Sequence, residues 1–446
     1  MHLGKNGSDF FSPMELRSVL REYILKRNSR ILEKFLPTTM HDVDRLLIDI
    51  AQVDIGGATH VSVDGAESRH VPKTMGGSRQ EFEGQEFREK YVFTGTDYSK
   101  IRRLGTLEER QTAGNMVLKA QAQLGERLLN RAELLRSETI FDNQVTLDFE
   151  GNSQVITYGH PDFLRPSAGT AWSNVASNIL GDLNNWHEFL ADSASSGYVD
   201  LVISRATNRK IMNNTAIREI FRAHYENTGR GDMSPADNIN TMGPAGREIL
   251  SRFVGDFNIV VSDDYVHYAT NLIAPAAAAQ DEIVVRSLEG FAVGRMVMVQ
   301  SRAEKKFDRL TVAAIDADNM TVTLSGDLDN AYGIGTQVVV RRQIVPDNKI
   351  LLVARYDGSI IRPDLSFSGY ADGENQEEID MASAVGELAL TRNTYFIDDE
   401  ERVPGFFSQM NHLTKEDPPR VELISGMKGL PRVNYIEKYL VATIES

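Results

Sequence analysis

Residues 76–140 read GGSRQEFEGQEFREKYVFTGTDYSKIRRLGTLEERQTAGNMVLKAQAQLGERLLNRAELLRSETI, and two patterns meet inside them. From Gly76 to Leu104 the large apolar residues Phe82, Phe87, Tyr91, Phe93 and Tyr98 alternate with charges, and Gly76, Gly77, Gly84 and Gly95 supply turn points. This predicts extended, strand-like chain. At Thr106 the pattern changes. Thr106 with Glu109 three residues on has the form of a capping box, and the next thirty or so residues contain no proline. Ala113, Val117, Ala120, Leu124, Leu128 and Leu135 fall on one helical stripe, weakened only slightly by Gly114 and Gly125. Such a helix is about 45 Å long at ~1.5 Å per residue, whereas the average globular helix has about 11–12 residues. A charged hairpin beside one long helix suits a protein whose neighbours complete its packing.

Composition bounds the rest. With 446 residues the chain has room for two or three domains and a sizeable core. A formal charge of −15 repels phosphate overall, which argues against broad nucleic-acid binding while leaving local basic patches open. The absence of cysteine excludes disulfides, cysteine-ligated zinc and cysteine nucleophiles. No apolar run approaches the ~20 residues that span a bilayer, and Met1 to Phe10 is polar and glycine-containing, unlike a signal peptide. The expectation is a soluble protein made in a cytoplasm.

Working outward, Ser12-Pro13-Met14-Glu15 has the form of a helix start, and Leu16, Val19, Leu20, Tyr23 and Ile24 continue at helical spacing. Arg17, Arg21, Lys26, Arg27, Arg30 and Lys34 make this arm locally basic. A solvated helix face is the commoner meaning of such a pattern; contact with nucleic acid or an acidic partner is the sharper one. Asp44 to Ile55 is strand-like and stops at Gly56-Gly57, and Val61-Ser62-Val63 opens another extended stretch. Beyond the long helix, Val145 to Tyr158 reads as two short strands joined at Gly151-Asn152, and Pro161 to Gly169 as a loop. From Trp172 the pattern is α/β. Helices are expected over 179–193, 206–224 and 247–253, with buried strands at Val199 to Ile203 and Phe257 to Val261, so that one sheet carries packed helices.

The composition then shifts. Ala274-Pro275-Ala276-Ala277-Ala278-Ala279 is linker-like. The runs at 283–285, 296–299, 310–312, 320–324 and 338–340 are β in character, separated by Gly290, Gly294, Gly326, Gly333 and Gly335. This spacing predicts a small barrel or sandwich. Because Ile350 to Ala354 resumes as a buried strand, 271–343 reads as an inserted β domain. The last hundred residues are loop-rich. Ala371 to Asp380 is an acidic loop, 381–393 is helical or extended, Pro418-Pro419 marks a boundary, and Arg420 to Ser425 and Val433 to Ile444 are strands.

Chemistry-bearing motifs are missing. Gly4-Lys5-Asn6-Gly7 has neither the strand nor the spacing of a phosphate-binding loop, and no G-x-S-x-G or H-E-x-x-H occurs. His187-Glu188 stands alone on its helix, and the nine histidines are scattered. Asp316-Ala317-Asp318-Asn319 lacks the glycine and terminal glutamate of an EF-hand loop and reads as a hairpin turn. Asp372 to Glu378 reads as a solvated acidic loop rather than a weak cation site, and Trp172 and Trp186 as packing anchors. No catalytic, cofactor-binding or metal-binding residue is assigned, no cofactor is expected, and the chain is not expected to be an enzyme.

In several places the chain resembles the major capsid proteins of lambda-like tailed bacteriophages, the E family, which share the Hong Kong 97 capsid fold. Gly76-Gly77-Ser78 with Phe82 and the charged run to Arg102-Arg103-Leu104 is similar to the family's extended loop. The helix from Thr106 resembles its spine helix, and Ser167-Ala168-Gly169-Thr170-Ala171-Trp172 its G-T-x-W segment. The strands near 420–444 resemble the return into its peripheral domain. The resemblance covers most of the chain outside 271–343, and the order of the motifs is more telling than any one of them.

It implies an α+β fold of the Hong Kong 97 type. An N-terminal arm would occupy 1–60 and an extended loop 61–104. The spine helix and first part of the peripheral domain would span 105–165, and the axial domain 166–270. The inserted β-barrel domain at 271–343 would be followed by more axial domain at 344–395 and more peripheral domain at 396–446. The implied function is structural: hexamers and pentamers of one chain would form an icosahedral shell around double-stranded DNA. Separate scaffold, portal and decoration proteins would be the other partners, with no sequence-specific DNA contact and no membrane. Assembly would take place in the cytoplasm of the host bacterium and the product would be the virion. The simplest family members lack the β insertion, and an exterior position suits it, since an inward domain would obstruct DNA. The alternatives are the shell of an encapsulin-type compartment, which would need a cargo pocket, and an unrelated α/β enzyme using the acidic residues at 372–378.

Overall fold

Leu107–Ser137 forms one unbroken helix of 31 residues, α1. The computed structural model of the chain describes residues 20, 30–41, 45–51, 77–93, 107–149, 152–194, 198–220, 257–355, 384–391, 405–413 and 420–445. Several expected features lie outside these residues: the Ser12-Pro13 helix start, the Gly56-Gly57 stop, the stretch at 61–63, the Thr106 cap, the helix at 247–253, the acidic loop at 371–380 and Pro418-Pro419. The stripe read from the sequence is the buried one. Val117, Ala120, Leu124, Leu128 and Leu135 are each at most 4% exposed. A single π turn, Glu138–Asp142, follows, and Asn143 ends it at φ 57, a left-handed conformation that asparagine tolerates.

By its contacts the chain divides into two units. One comprises Met1–Pro161, Leu190–Ser196 and Val353–Tyr439; the other comprises Asp162–Phe189, Gly197–Leu352 and Leu440–Ser446. With strands numbered in chain order, the first unit holds β1 (Thr38–Met40), β2 (Arg45–Ala51), β3 (Gly77–Glu83), β4 (Glu86–Phe93), β5 (Gln144–Phe149) and β6 (Asn152–Thr157). It also holds β16 (Gly386–Leu390), β17 (Phe406–Leu413) and β18 (Arg420–Val433). The long strand β18 organises a five-stranded sheet. β17 and β4 flank its first half antiparallel, β16 pairs antiparallel with its second half, and β1 adds to β16 in parallel. Helix α1 packs on β18, and Phe93, Val117, Ala120, Leu124, Val421 and Leu423 form their shared core. β5 and β6 form a separate hairpin, and β2 and β3 a separate antiparallel ribbon.

Two expectations about this unit change, and one open alternative is decided. The strands of 76–104 do not form a hairpin with each other, because β3 pairs with β2 and β4 with β18. Glu86–Phe93, within the stretch expected to be an extended loop, is therefore a sheet strand, held by the burial of Phe93 at 1% exposure. Of the two alternatives for 381–393, helical or extended, the described part takes the extended one, as β16. The strand expected over 420–425 runs on to Val433 through Gly426, Gly429 and Pro431. Those glycines are there because neighbours are close: a Cβ on Gly429 would collide with the Ala389 carbonyl oxygen, and one on Gly426 with the Phe407 ring. Gly429→Ala is accordingly expected to cost about 1–3 kcal/mol, the usual range for overpacking. It should lower the urea midpoint with an unchanged slope, and an unchanged midpoint would refute the close packing.

The second unit contains β7 (Tyr198–Ser204), β8 (Phe257–Ser262), β15 (Lys349–Arg355) and β19 (Tyr439–Thr443), the outer ends of β15 and β19 passing into the first unit's residues. They form a four-stranded sheet in the order β19-β15-β7-β8, with β7 and β8 parallel. Helices α2 (Ile179–Ala194) and α3 (Arg205–Asn213) accompany it. Expected as one helix to His224, α3 instead breaks at Asn214. That buried side chain donates to the Ser177 carbonyl at 2.7 Å and accepts from Ile217 N, capping a new turn. The segment Ala168 to Trp172 runs beside the chain end, with Ala168 N–H donating to Thr443 O and Trp172 N–H to Ile444 O.

Between β8 and β15 lie β9 (Tyr265–Asn271), β10 (Glu282–Val284), β11 (Met296–Ser301), β12 (Lys306–Asp316), β13 (Thr321–Leu324) and β14 (Gln337–Gln343). They make a six-stranded antiparallel sheet in the order β10-β13-β12-β11-β14-β9. Just past their ends the two edge strands meet: Leu272 bridges Val285, and Ile273 N–H donates to Val284 O. The interior has its own core, including Val297, Val299, Val312, Val322, Val338 and Val340. The five strand runs read from the sequence are all present; β9 is the sixth, and it begins at Tyr265, ahead of the expected boundary at 271.

Candidate assembly surfaces

The side chains singled out for possible chemistry have structural employment. His187 packs edge-on against Phe257 at 4.9 Å. Trp172 and Trp186 stack at 5.9 Å, with the Trp172 indole N–H donating to Asp182. Asp316 accepts from Asp318 N, Asn319 N and Asn319 Nδ2, which is a hairpin turn, and these bonds hold its carboxyl below the ordinary value. Among the described residues no group of His, Asp or Glu is arranged to hold a metal, and no helix is long and apolar enough to cross a membrane. The Asp372 to Glu378 cluster lies outside them. What the chain offers instead is a set of segments with well-defined anchors.

The first is the arm at residues 30–41, held by a buried ion pair on α1. Arg136 donates from Nε to Leu36 O at 2.8 Å, from one terminal nitrogen to Thr38 Oγ1 at 2.6 Å and from the other to Glu133 at 2.9 Å. Glu133, wholly buried, also accepts from Leu32 N. Burial pushes the Glu133 carboxyl up, against the pull of Arg136. Arg30 bonds Asn130 one turn earlier, and Leu32, Phe35 and Leu36 are completely buried. Further on, Thr39 donates to Glu387 at 2.7 Å, where His41 and Arg432 also converge at 3.3 and 3.1 Å. Burial raises the Glu387 carboxyl, but its bonds to His41 and Thr39 and the charge of Arg432 outweigh this and leave it below its ordinary value.

The second is the ribbon of β2 and β3. It is rooted at Gly84 and Gln85, where Gly429 N–H donates to Gln85 O at 2.9 Å. A Cβ on Gly84 would meet Thr391 Oγ1, so a larger residue at the root would have to turn that hydroxyl aside. The register sets Leu46, Ile48 and Ile50 opposite Phe82, Gln80 and Ser78, and among the described residues the ribbon has two strands. Beside the root, β4 is tied to α1 through Glu89 with Arg127 and through Phe87 under Arg131 at 5.0 Å. Beneath the sheet, Gln121 accepts from Ser408 at 2.8 Å and Ser425 at 3.4 Å.

The third is the six-stranded sheet, whose two attachments are both held by the first turns of α3. At the incoming one, Asp263 accepts from Arg205 at 3.0 Å and from the Tyr265 hydroxyl at 2.7 Å, and Arg341 stacks on the Tyr265 ring at 3.3 Å. The Tyr265 bond, with Arg205, holds the Asp263 carboxyl low. Burial, reinforced by Asp263, pushes the Tyr265 phenol up; burial and then Arg341 hold the His267 imidazole low. At the outgoing attachment, Ser204 donates to the Asp347 carboxylate at 2.6 Å, and Thr207 and Lys210 both donate to its carbonyl at 3.1 Å. Ile344 N–H to Asp264 O, at 3.1 Å, ties the two attachments together. None of this was readable in advance, because the partners are up to 143 residues apart in sequence.

Comparison with known proteins adds the following. The family profile described as phage major capsid protein E matches residues 24–277. No curated protein matches the chain. Among solved structures, a prophage protein of E. coli CFT073 assigned as a capsid protein aligns over 97% of this chain and 99% of its own, at 10% identity and a TM-score of 0.49. The satellite phage P4 procapsid aligns over 98% and 100%, at 8% identity and 0.39. The mature capsid of bacteriophage PhiM1 aligns over 94% and 87%, at 10% identity and 0.35. These structural likenesses are distant.

Proposed function

Because the chain belongs to the phage major capsid protein E family, we propose that its copies assemble as hexamers and pentamers into an icosahedral head that encloses double-stranded DNA. The observation that carries this is the extent of the family match. Residues 24–277 take in the arm, the ribbon, α1, the helices α2 and α3 and two strands, β7 and β8, of the four-stranded sheet. On this reading the fold is of the Hong Kong 97 type, α1 is the spine helix, the five-stranded sheet is peripheral and the four-stranded sheet is axial. The extended loop is the ribbon, 45–83, and ends before β4. The six-stranded sheet, Tyr265 to Gln343, is an inserted β-barrel domain on the outside of the head. An acidic chain, at −15, favours an interior along which DNA slides. Scaffold and portal proteins are separate chains, and assembly precedes release of the virion from its bacterial host.

Physical chemistry supports a ribbon completed by neighbours. A two-stranded ribbon is marginal in water, and its outer backbone groups need partners. Replacing residues 46–82 with a two-residue Asn-Gly turn between Arg45 and Glu83, which face each other, should leave the sheet intact. The expected result is a soluble chain with native circular dichroism that sediments as small species and closes no shells. Normal shells from this variant would remove the ribbon from assembly.

A further inference from the structure

Four side chains meet where the end of the arm joins the five-stranded sheet. Glu387, on β16, accepts from the Thr39 hydroxyl at 2.7 Å with one oxygen. Its other oxygen faces the His41 imidazole at 3.3 Å and the Arg432 guanidinium at 3.1 Å. Thr39 Oγ1 also lies 3.1 Å from His41 Nε2. Thr39 and His41 come from β1 and its end, and Arg432 from β18, so both flanking strands put donors on one carboxylate. Among the described residues neither His41 nor Arg432 pairs with a second carboxylate, and Arg432 Nε is buried without a partner. Lys438, the next cation along the chain, donates to the Ala384 carbonyl at 3.4 Å.

The strand these groups hold is slight. β1 has three residues and, among the described residues, one partner, β16, and its Met40 is 59% exposed. Leu388 N–H to Pro37 O and His41 N–H to Leu390 O, both at 2.8 Å, bound the pairing. Segments with so few buried contacts sit at the low end of local stability. β2 begins at Arg45, four residues past His41, so β1 is also the stem of one leg of the ribbon. The other end of the arm is held differently. There the wholly buried Glu133 takes Arg136 and the Leu32 amide, and Arg30 and Glu33 are the remaining charges that act on it.

A proton acts in opposite senses at these two ends. The Glu387 side chain keeps 14% exposure, so protons reach it from solvent. Protonating it removes the charge that its donors share. It also leaves His41, a cation in acid, and Arg432 facing each other across a neutral group. Burial raises the Glu387 carboxyl, but His41, Thr39 and Arg432 together hold it below its ordinary value. Its contribution is therefore present above the unfolded value, near pH 4, and is lost as pH falls through the folded value. Burial holds the Glu133 carboxyl up despite Arg136, so the end it secures is at full strength in that acid range. We propose that Thr39, His41, Glu387 and Arg432 form a proton-operated latch, which releases β1 from β16 in acid while Leu32 to Leu36 stay fixed to α1.

The test follows hydrogen exchange of the full-length chain by mass spectrometry, from neutral pH to below about pH 4, with rates normalised to intrinsic exchange at each pH. Exchange at residues 38–41 should rise by about tenfold per pH unit through the transition, the slope of one bound proton. Residues 31–36, β17 and the first half of β18 should keep their protection over the same range. Glu387→Gln, which cannot ionise, should show 38–41 open at neutral pH and unchanged in acid. Thr39→Val removes one donor and keeps the β-branched shape, so its opening should move to higher pH. Exchange at 38–41 that ignores pH, or that rises only together with 31–36 and β17, would overturn the latch. A folded Glu387→Gln chain that stays closed at neutral pH would do the same. Should that variant not fold, Thr39→Val decides alone, and an opening pH that it leaves unmoved counts against the latch.

Discussion

Leu124→Asp is expected to yield no soluble chain. Leu124 is 4% exposed, between α1 and the sheet, in a cluster with Phe93, Val117, Ala120, Val421 and Leu423. Removing a buried leucine side chain costs about 2–5 kcal/mol, and burying an unpaired carboxylate costs several more or forces its protonation. Against a total stability of about 5–15 kcal/mol, that is enough to unfold the unit. Leu124→Met, which conserves volume, should cost less than about 1.5 kcal/mol and stay soluble. Soluble-fraction assays and circular dichroism on the pair separate the outcomes. A soluble, assembling aspartate variant would show that the stripe is not buried.

Arg136→Met should release the arm. It removes donors to Leu36 O, Thr38 Oγ1 and Glu133, leaving the Glu133 carboxyl buried with the Leu32 amide. Breaking a buried pair from one side costs about 3–5 kcal/mol. Residues 30–41 should lose their hydrogen-exchange protection while β17 and β18 keep theirs. The pH dependence follows from the direction of the Glu133 shift. Burial already raises this carboxyl above its unfolded value, and losing Arg136 raises it further. A raised acid contributes stability that is fully present below its unfolded value, near pH 4, and is lost as pH rises through the folded value. The defect of Arg136→Met is therefore smallest in acid and largest at neutral pH. A defect independent of pH, or full protection of 30–41, would count against the anchor.

Periodic patterns made much of this fold legible. The stripe of α1 and the valine-rich runs of the six-stranded sheet follow helix and strand periods, and each is buried as its spacing predicts. Strands failed to show where packing overrode pattern. In β17 the buried Ser408 blurs the alternation because it bonds Gln121, a partner 287 residues away. In β18 the residues Gly426, Gly429 and Pro431 look like punctuation, yet the glycines mark places where another chain segment leaves no room for a Cβ. β9 passed for the last part of the α/β region because it follows β8 after two residues. The hairpin expectation failed because pairing partners cannot be read from a single segment: β4 found β18 more than three hundred residues on. The arm anchor and the clamp on the six-stranded sheet were invisible for the same reason, since each joins ordinary residues across long separations.

The central claim, that copies of this chain close into a shell, is tested most directly by electron microscopy of the purified full-length protein, expressed alone and with the scaffold-type gene products of its source. The account predicts closed, hollow particles of uniform diameter with hexameric and pentameric capsomers and barrels on the outer surface. Only small discrete particles under every condition, or an unclosed assembly with no pentamers, would contradict it.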